Sequence, residues 1–243
     1  MMGVLRGLYR LLAVLLCLLR GAYTMWRRLG RWSEAEQSAA VQHWARGMLQ
    51  ALGVQLQVNG QAAPGPVLWV SNHIAWLDIL VLHAVRHARF VAKSEVHHWP
   101  LIGPMAAGAG TLFIERASPR DALRVVHQLA EALTQGHTVA VFPEGTTSAG
   151  DTVLPFHANL LQAALVTQTP IQPALIRYTD PAGQMAAHVR YVGEDTLVAS
   201  VWRVLCAPCT RATVYWAPAQ SAQGRDRRAW AHDLRQTLLS LMQ

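Results

Sequence analysis

Two hydrophobic periods alternate along the chain. Short apolar runs bounded by turn residues read as buried strands: Val67 to Val70, Arg89 to Ala92, Thr111 to Ile114, Thr138 to Phe142, Ile171 to Tyr178, Ala187 to Val192 and Arg211 to Trp216. Between them, apolar residues recur three and four apart, as on one face of a helix. Ile79 to Val85 is such a stretch, Trp99 to Ala107 a shorter one. Leu123, Val126, Leu129, Ala130 and Leu133 share a face, Ser118-Pro119 supplies a start signal, and Gly136 a stop. His157 to Gln168 and Asp226 to Met242 are further helices. Strands alternating with helices predict an α/β fold with a largely parallel central sheet flanked by helices.

The first 53 residues differ from the rest. Residues 1–32 contain no acidic residue and six arginines, Arg6, Arg10, Arg20, Arg27, Arg28 and Arg31. At about 100° per residue these fall within one arc of about 100°, and eight leucines lie outside it. A single long helix with an arginine stripe and a broad leucine face suits a membrane interface, with the arginines toward headgroups. The unbroken apolar run, Leu11 to Leu19, is shorter than the roughly 20 residues that span a bilayer. A tilted span with snorkelling arginines is the alternative. A soluble amphipathic helix is the plainer one, which the nearby Trp26, Trp32 and Trp44 disfavour. Ser33 and Glu36 form a capping box, Val41, Trp44, Met48, Leu49 and Leu52 repeat at helical spacing, and Gly53 stops the helix. The expected organisation is therefore a membrane-associated helical segment over 1–53 and an α/β domain over 54–243.

Composition agrees with both parts. Of the 243 residues 52% are hydrophobic and 14% charged, enough for a large core and a lipid-facing surface. The net charge of +7 suits an anionic membrane or substrate. Nucleic acid is disfavoured, because no basic run is interleaved with stacking aromatics. Cys17, Cys206 and Cys209 are too few for a disulfide scaffold and fit a reducing compartment. With the positive flanks of the first helix, they place the protein on the cytoplasmic face of the inner membrane. Cys206 and Cys209 have redox-motif spacing but follow a helix-like stretch rather than a strand. His83 and His87 are four apart, yet no carboxylate completes a metal motif. They and His97-His98 read as surface or interface residues, and no metal site is expected.

The chemistry gathers at strand ends. In parallel sheets ligands bind beyond the carboxyl ends of strands. His73, Lys93, Arg116 and Glu144 each follow a predicted strand closely, so parallel strands would bring all four to one edge. Asp78 lies five residues after His73. A carboxylate beside an imidazole fixes its tautomer and raises its basicity, as a general base requires.

His73 with Asp78, Gly110-Thr-Leu-Phe-Ile-Glu-Arg116, Phe142-Pro-Glu-Gly145 and Pro170-Ile-Gln-Pro-Ala174 occur in this order. Together they resemble the four sequence blocks of the glycerolipid acyltransferase family, typified by 1-acylglycerol-3-phosphate acyltransferases, over about residues 54–218. The resemblance implies transfer of an acyl chain from acyl-CoA or acyl carrier protein to a lysolipid hydroxyl, with no bound cofactor. His73 would be the general base and Asp78 its orienting partner. Arg116 matches the phosphate-binding arginine, Glu144 and Gly145 the acceptor-binding block, and Pro173 the block that shapes the pocket. Lys93 lies where relatives often carry a lysine. Glu115 replaces a common aspartate, and Thr147 stands where many relatives have arginine. The second change removes a cation, so a lyso-ornithine lipid or another lysophospholipid competes with 1-acylglycerol-3-phosphate as acceptor. A non-catalytic lipid-binding protein and a thioesterase are the readings from other classes.

Overall fold

A computed structural model describes residues 1–28, 31–114 and 119–243, with the backbone alone at 119, 120 and 122. Two helices open the chain, α1 (Met2–Arg28) and α2 (Glu34–Leu52). The elements then follow as β1 (Val54–Asn59), β2 (Leu68–Ser71), α3 (Leu77–Val85), β3 (Arg89–Lys93), α4 (Ser94–His97), α5 (Ile102–Gly108), β4 (Leu112–Ile114), α6 (Pro119–Thr134) and β5 (Val139–Val141). The last part is α7 (Gln162–Thr167), β6 (Ile171–Thr179), α8 (Leu197–Cys206), β7 (Thr210–Trp216) and α9 (Arg227–Leu241). The seven strands form one sheet in the order β1-β7-β6-β2-β5-β3-β4. Every pairing is parallel except β6 with β7, as the largely parallel prediction requires.

The period-2 alternation of the strands divides their side chains between two cores. Trp69, Phe90, Ala140, Ile176 and Val214 join α2 and α3 on one face of the sheet. Leu68, Val70, Val139, Val141 and Ile171 join α6, α7 and α9 on the other. Ala45, Met48, Leu49 and Leu52 of α2 are buried in the first core. The capping box of α2 forms as read, and Gly53 ends the helix at φ 75°, a conformation that favours glycine.

Three local expectations change. Ala187 to Val189 is a 3-10 turn rather than a strand, because its backbone folds back onto Ala186 instead of finding a ladder. Val54 to Asn59 is a strand, paired along its length with β7; Gln55, Gln57 and Asn59 broke the apolar run that would have marked it. Leu123 is exposed and Val125 takes its place in the core, a rotation of the stripe on α6. The cap at Ser118 lies outside the described residues.

The arginine stripe of α1 also differs from expectation. Arg10 turns onto the domain and donates to the carbonyls of Leu205, Ala207 and Pro208 at 3.2, 2.7 and 3.0 Å. A guanidinium fork thereby satisfies carbonyls at the end of α8. The leucine face, with Leu5, Leu8, Leu12, Leu15, Leu16 and Leu19, points outward and is exposed. α1 is long and apolar enough to cross a membrane. Glycines let it lie close to its neighbours: a Cβ on Gly7 would stand 2.7 Å from Cys206 Sγ, and one on Gly21 2.5 Å from Trp44 Nε1.

Gly7→Leu overpacks the α1–α8 contact and costs about 1–3 kcal/mol, read as faster hydrogen exchange in both helices. His83, buried on α3 against Phe90 with ring centroids 4.7 Å apart, has its pKa pushed down to about 3 by burial. Below its ordinary 6.5 the unfolded chain binds a proton that the folded one refuses. Stability therefore falls as pH drops from 6.5 toward 3, and His83→Phe flattens that slope in urea titrations.

Candidate active site

The site is built where β2 ends. Asn72 closes the ladder with its side chain: its amide donates to the Ile176 carbonyl at 3.0 Å and accepts from the Ile176 N–H at 2.8 Å. The side chain stands in for backbone pairing to β6, so the main chain is free to turn away at His73. Three residues earlier, Val70 is in register with Pro173 of β6. Proline has no N–H to give to Ala217 of the neighbouring chain segment. Gln172 supplies the missing donor, reaching the Ala217 carbonyl at 3.0 Å and the Gln61 carbonyl at 2.8 Å while accepting from Ala63 N–H at 2.8 Å. Pro173 thus lies within the sheet, upstream of the His73 turn.

Past Asn72 the chain enters a four-residue turn and then α3. Asp78, in the first turn of α3, is fully buried. Its Oδ2 accepts from His73 Nδ1 at 2.8 Å and from the N–H groups of Ile74 and Ala75 at 2.7 and 3.0 Å. Its Oδ1 accepts from the Tyr178 hydroxyl at 2.7 Å. An ionised carboxylate only accepts, and all four partners are donors. The proton therefore sits on His73 Nδ1, and Nε2 presents a lone pair. The imidazole stacks on Phe142 with centroids 4.1 Å apart and planes 11° from parallel. The His73 side chain is 20% exposed, so the ring is fixed and still reachable.

Glu144 holds the other side of the turn. Its Oε1 accepts from the His73 backbone N–H at 2.7 Å and its Oε2 from the Leu154 N–H at 2.9 Å. Burial raises its pKa, against the two N–H donors that lower it. Ser148 completes the clamp, donating to the His73 carbonyl through its N–H at 2.8 Å and its hydroxyl at 3.2 Å. Gly145 is at φ +71°, and a Cβ there would meet His157 Cδ2 at 2.8 Å, so the turn after β5 needs glycine. Thr147 donates to the Tyr191 carbonyl, and Tyr191 N–H donates to the Ile74 carbonyl at 3.3 Å.

Of the residues expected from sequence, His73, Asp78 and Glu144 come together directly. Gly145 shapes the same turn. Lys93 ends β3, exposed, two strands away from β2, a span on the order of 10 Å at sheet spacing. Pro173 is not brought to the imidazole. Arg116 and Glu115 lie outside the described residues. His83 is buried in the core rather than at a surface, whereas His87 joins two elements: its Nδ1 meets Ser38 Oγ at 3.0 Å, and its Nε2 donates to the Ala109 carbonyl at 2.9 Å. Among the described residues no cluster of three or more candidate ligands could hold a metal. Sequence reasoning missed Tyr178 and Phe142 as partners of the His–Asp pair. Both were read as strand residues, and nothing in their spacing shows which side chains they meet.

The site thus holds a buried carboxylate that orients an imidazole at the end of a parallel strand, an arrangement with which a general base can work. The Acyltransferase family model matches residues 55–177, and the chain belongs to that family. It is 34% identical to the lyso-ornithine lipid O-acyltransferase of Pseudomonas aeruginosa, over 87% of this chain and 77% of that one. It is also 34% identical to the 1-acyl-sn-glycerol-3-phosphate acyltransferase of Neisseria meningitidis serogroup B, over 85% and 82% of the two chains. The crystal structure of the 1-acyl-sn-glycerophosphate (LPA) acyltransferase of Thermotoga maritima has the same fold, with a TM-score of 0.73 at 19% identity, covering 99% of this chain and 95% of that one.

Glu144→Gln tests the clamp. An amide has one acceptor oxygen, so either the His73 or the Leu154 N–H would face a donor. The expected cost is about 1–3 kcal/mol in urea unfolding, with a lower turnover as the His73 turn loosens.

Proposed function

We propose that this acyltransferase moves an acyl chain from a thioester donor, acyl-CoA or acyl carrier protein, to a hydroxyl of a lysolipid, with His73 as general base. The 2.8 Å contact between His73 Nδ1 and Asp78, on a side chain still 20% exposed, is the observation that carries this reading. His73 Nε2 takes the proton as the hydroxyl oxygen attacks the thioester carbonyl. The tetrahedral adduct collapses, the carbon–sulfur bond breaks, and the thiolate recovers the proton from the imidazolium. Asp78 stabilises that imidazolium. No acyl-enzyme is required, and the products are an ester and a thiol. Phe142 keeps the ring plane fixed. Glu144 acts through the backbone of His73, and Gly145 allows the turn that carries it.

The acceptor that fits the four sequence blocks is 1-acylglycerol-3-phosphate, giving phosphatidic acid. In this reading Arg116 grips the phosphate in the bidentate way open to a guanidinium, and Lys93 adds charge at the same edge. Lyso-ornithine lipid is the second reading. Its support is Thr147, which is engaged with the Tyr191 carbonyl and supplies no cation, together with the similarity to the Pseudomonas enzyme. The exposed leucine face of α1 supports membrane association, and the arginines flanking it support the cytoplasmic side.

Purified protein in lipid nanodiscs, given labelled acyl-CoA or acyl carrier protein and a panel of lysolipids, tests the proposal. The expected result is label in one acylated lipid, lowered by about 10²–10⁴-fold in His73→Ala. Arg116→Ala should raise KM for lysophosphatidate and leave monoacylglycerol unchanged. Free fatty acid without acylated lipid would make the protein a thioesterase, and full function of His73→Ala in cells would make it a binding protein.

A further inference from the structure

The two oxygens of Asp78 are loaded unequally. Oδ2 has three donors, His73 Nδ1, Ile74 N–H and Ala75 N–H. All three lie within five residues of Asp78 in the same turn, and they move with it. Oδ1 has one hydrogen bond among the described residues, from the Tyr178 hydroxyl at 2.7 Å. Tyr178 comes from elsewhere in the chain, near the end of β6, one hundred residues on. β6 is tied to the site through the Asn72–Ile176 pair, so the position of its hydroxyl is set by the sheet. Tyr178 is itself buried, and the carboxylate can only accept, so the phenol donates. Burial first, then the adjacent Asp78 charge, hold the phenol well above its ordinary range. It therefore stays a donor throughout the range in which an imidazole titrates.

We propose that Tyr178 is a positioning residue for acyl transfer: by holding Asp78 Oδ1 it fixes the carboxylate plane to the sheet and withdraws part of its charge, setting both the alignment and the proton affinity of His73. The proposal rests on the reading of His73 as the base. Its physical content is directional. Without the hydroxyl, Asp78 can rotate about Cβ–Cγ, and its charge is less shared. A less shared charge stabilises the imidazolium more, so His73 binds its proton at higher pH. A stronger donor at the same place moves the titration the other way.

Few other groups among the described residues can produce that shift. Among the described residues Glu144, from the turn after β5, is a further titratable group facing the pair. α2 directs Arg46 to the Ala84 carbonyl at the far end of α3. β7 contributes Ala212, Val214 and Trp216 to the same core, and α8 offers the neutral Ser200 to Trp76.

The test uses the full chain in nanodiscs, with acyl transfer kinetics and nitrogen-15 NMR of labelled histidine read side by side. Tyr178→Phe is expected to lower kcat by about tenfold through misalignment, with KM changed less than about twofold. Its His73 titration and the acid limb of its pH–rate profile both move to higher pH. 3-Fluorotyrosine placed at position 178 keeps the shape and strengthens the donor; it is expected to move both to lower pH, and it decides the matter if Tyr178→Phe does not fold. An unmoved imidazole titration in the folded variants overturns the proposal, whether or not kcat falls. A wild type that shows the NMR shifts on substitution but transfers no acyl group refutes the acyl-transfer reading and leaves the role of Tyr178 toward His73 standing.

Discussion

A fully buried carboxylate at Asp78 is the constraint around which the rest is arranged. Removing a carboxylate from water is costly unless hydrogen bonds replace the lost hydration. Here four donors do so, three from the turn after β2 and one from β6, meeting an acceptor in the first turn of α3. Each can reach Asp78 only if β2, β6 and α3 keep their relative positions. The network that orients the imidazole therefore also locks three elements of the fold together, and stability and chemistry share the same bonds.

A second buried carboxylate lies beside the first, with a different duty. Among the described residues Glu144 accepts two backbone N–H groups and no side-chain donor. It stiffens the main chain under His73, whereas Asp78 sets the ring. Backbone bracing of this kind matters because the turn is short and carries the imidazole directly, so a small shift in the main chain becomes a shift at Nε2. Phe142 adds the third restraint, a flat apolar surface against one face of the ring.

The helix that opens the chain belongs to this design through its exposed side. Its glycines and Arg10 face the domain, and its leucines do not. An apolar stripe left unpaired by the protein's own packing suits lipid as its partner. An enzyme whose acceptor and product are both lipids gains from resting where they are concentrated, because the acceptor then need not leave the bilayer to reach the sheet edge.

Much of this was legible from residues alone. The apolar runs marked six of the seven strands, since a buried parallel strand has to be apolar on both faces. The His73–Asp78 spacing and the order of the four blocks pointed to acyl transfer before any contact was known. β1 was missed because a strand at the sheet edge tolerates polar residues on its open side, and the 187–192 stretch was misread because apolar content says nothing about whether a neighbouring strand is free to pair. What local pattern determined was composition, period and the pairing of groups a few residues apart. Only the tertiary structure decided that Tyr178 meets Asp78, that Asn72 meets Ile176, that Glu144 lies beneath the His73 backbone, and that Arg10 turns inward while the leucines turn out. Those contacts join residues up to about 200 positions apart, and their existence depends on strand order, which no local periodicity encodes.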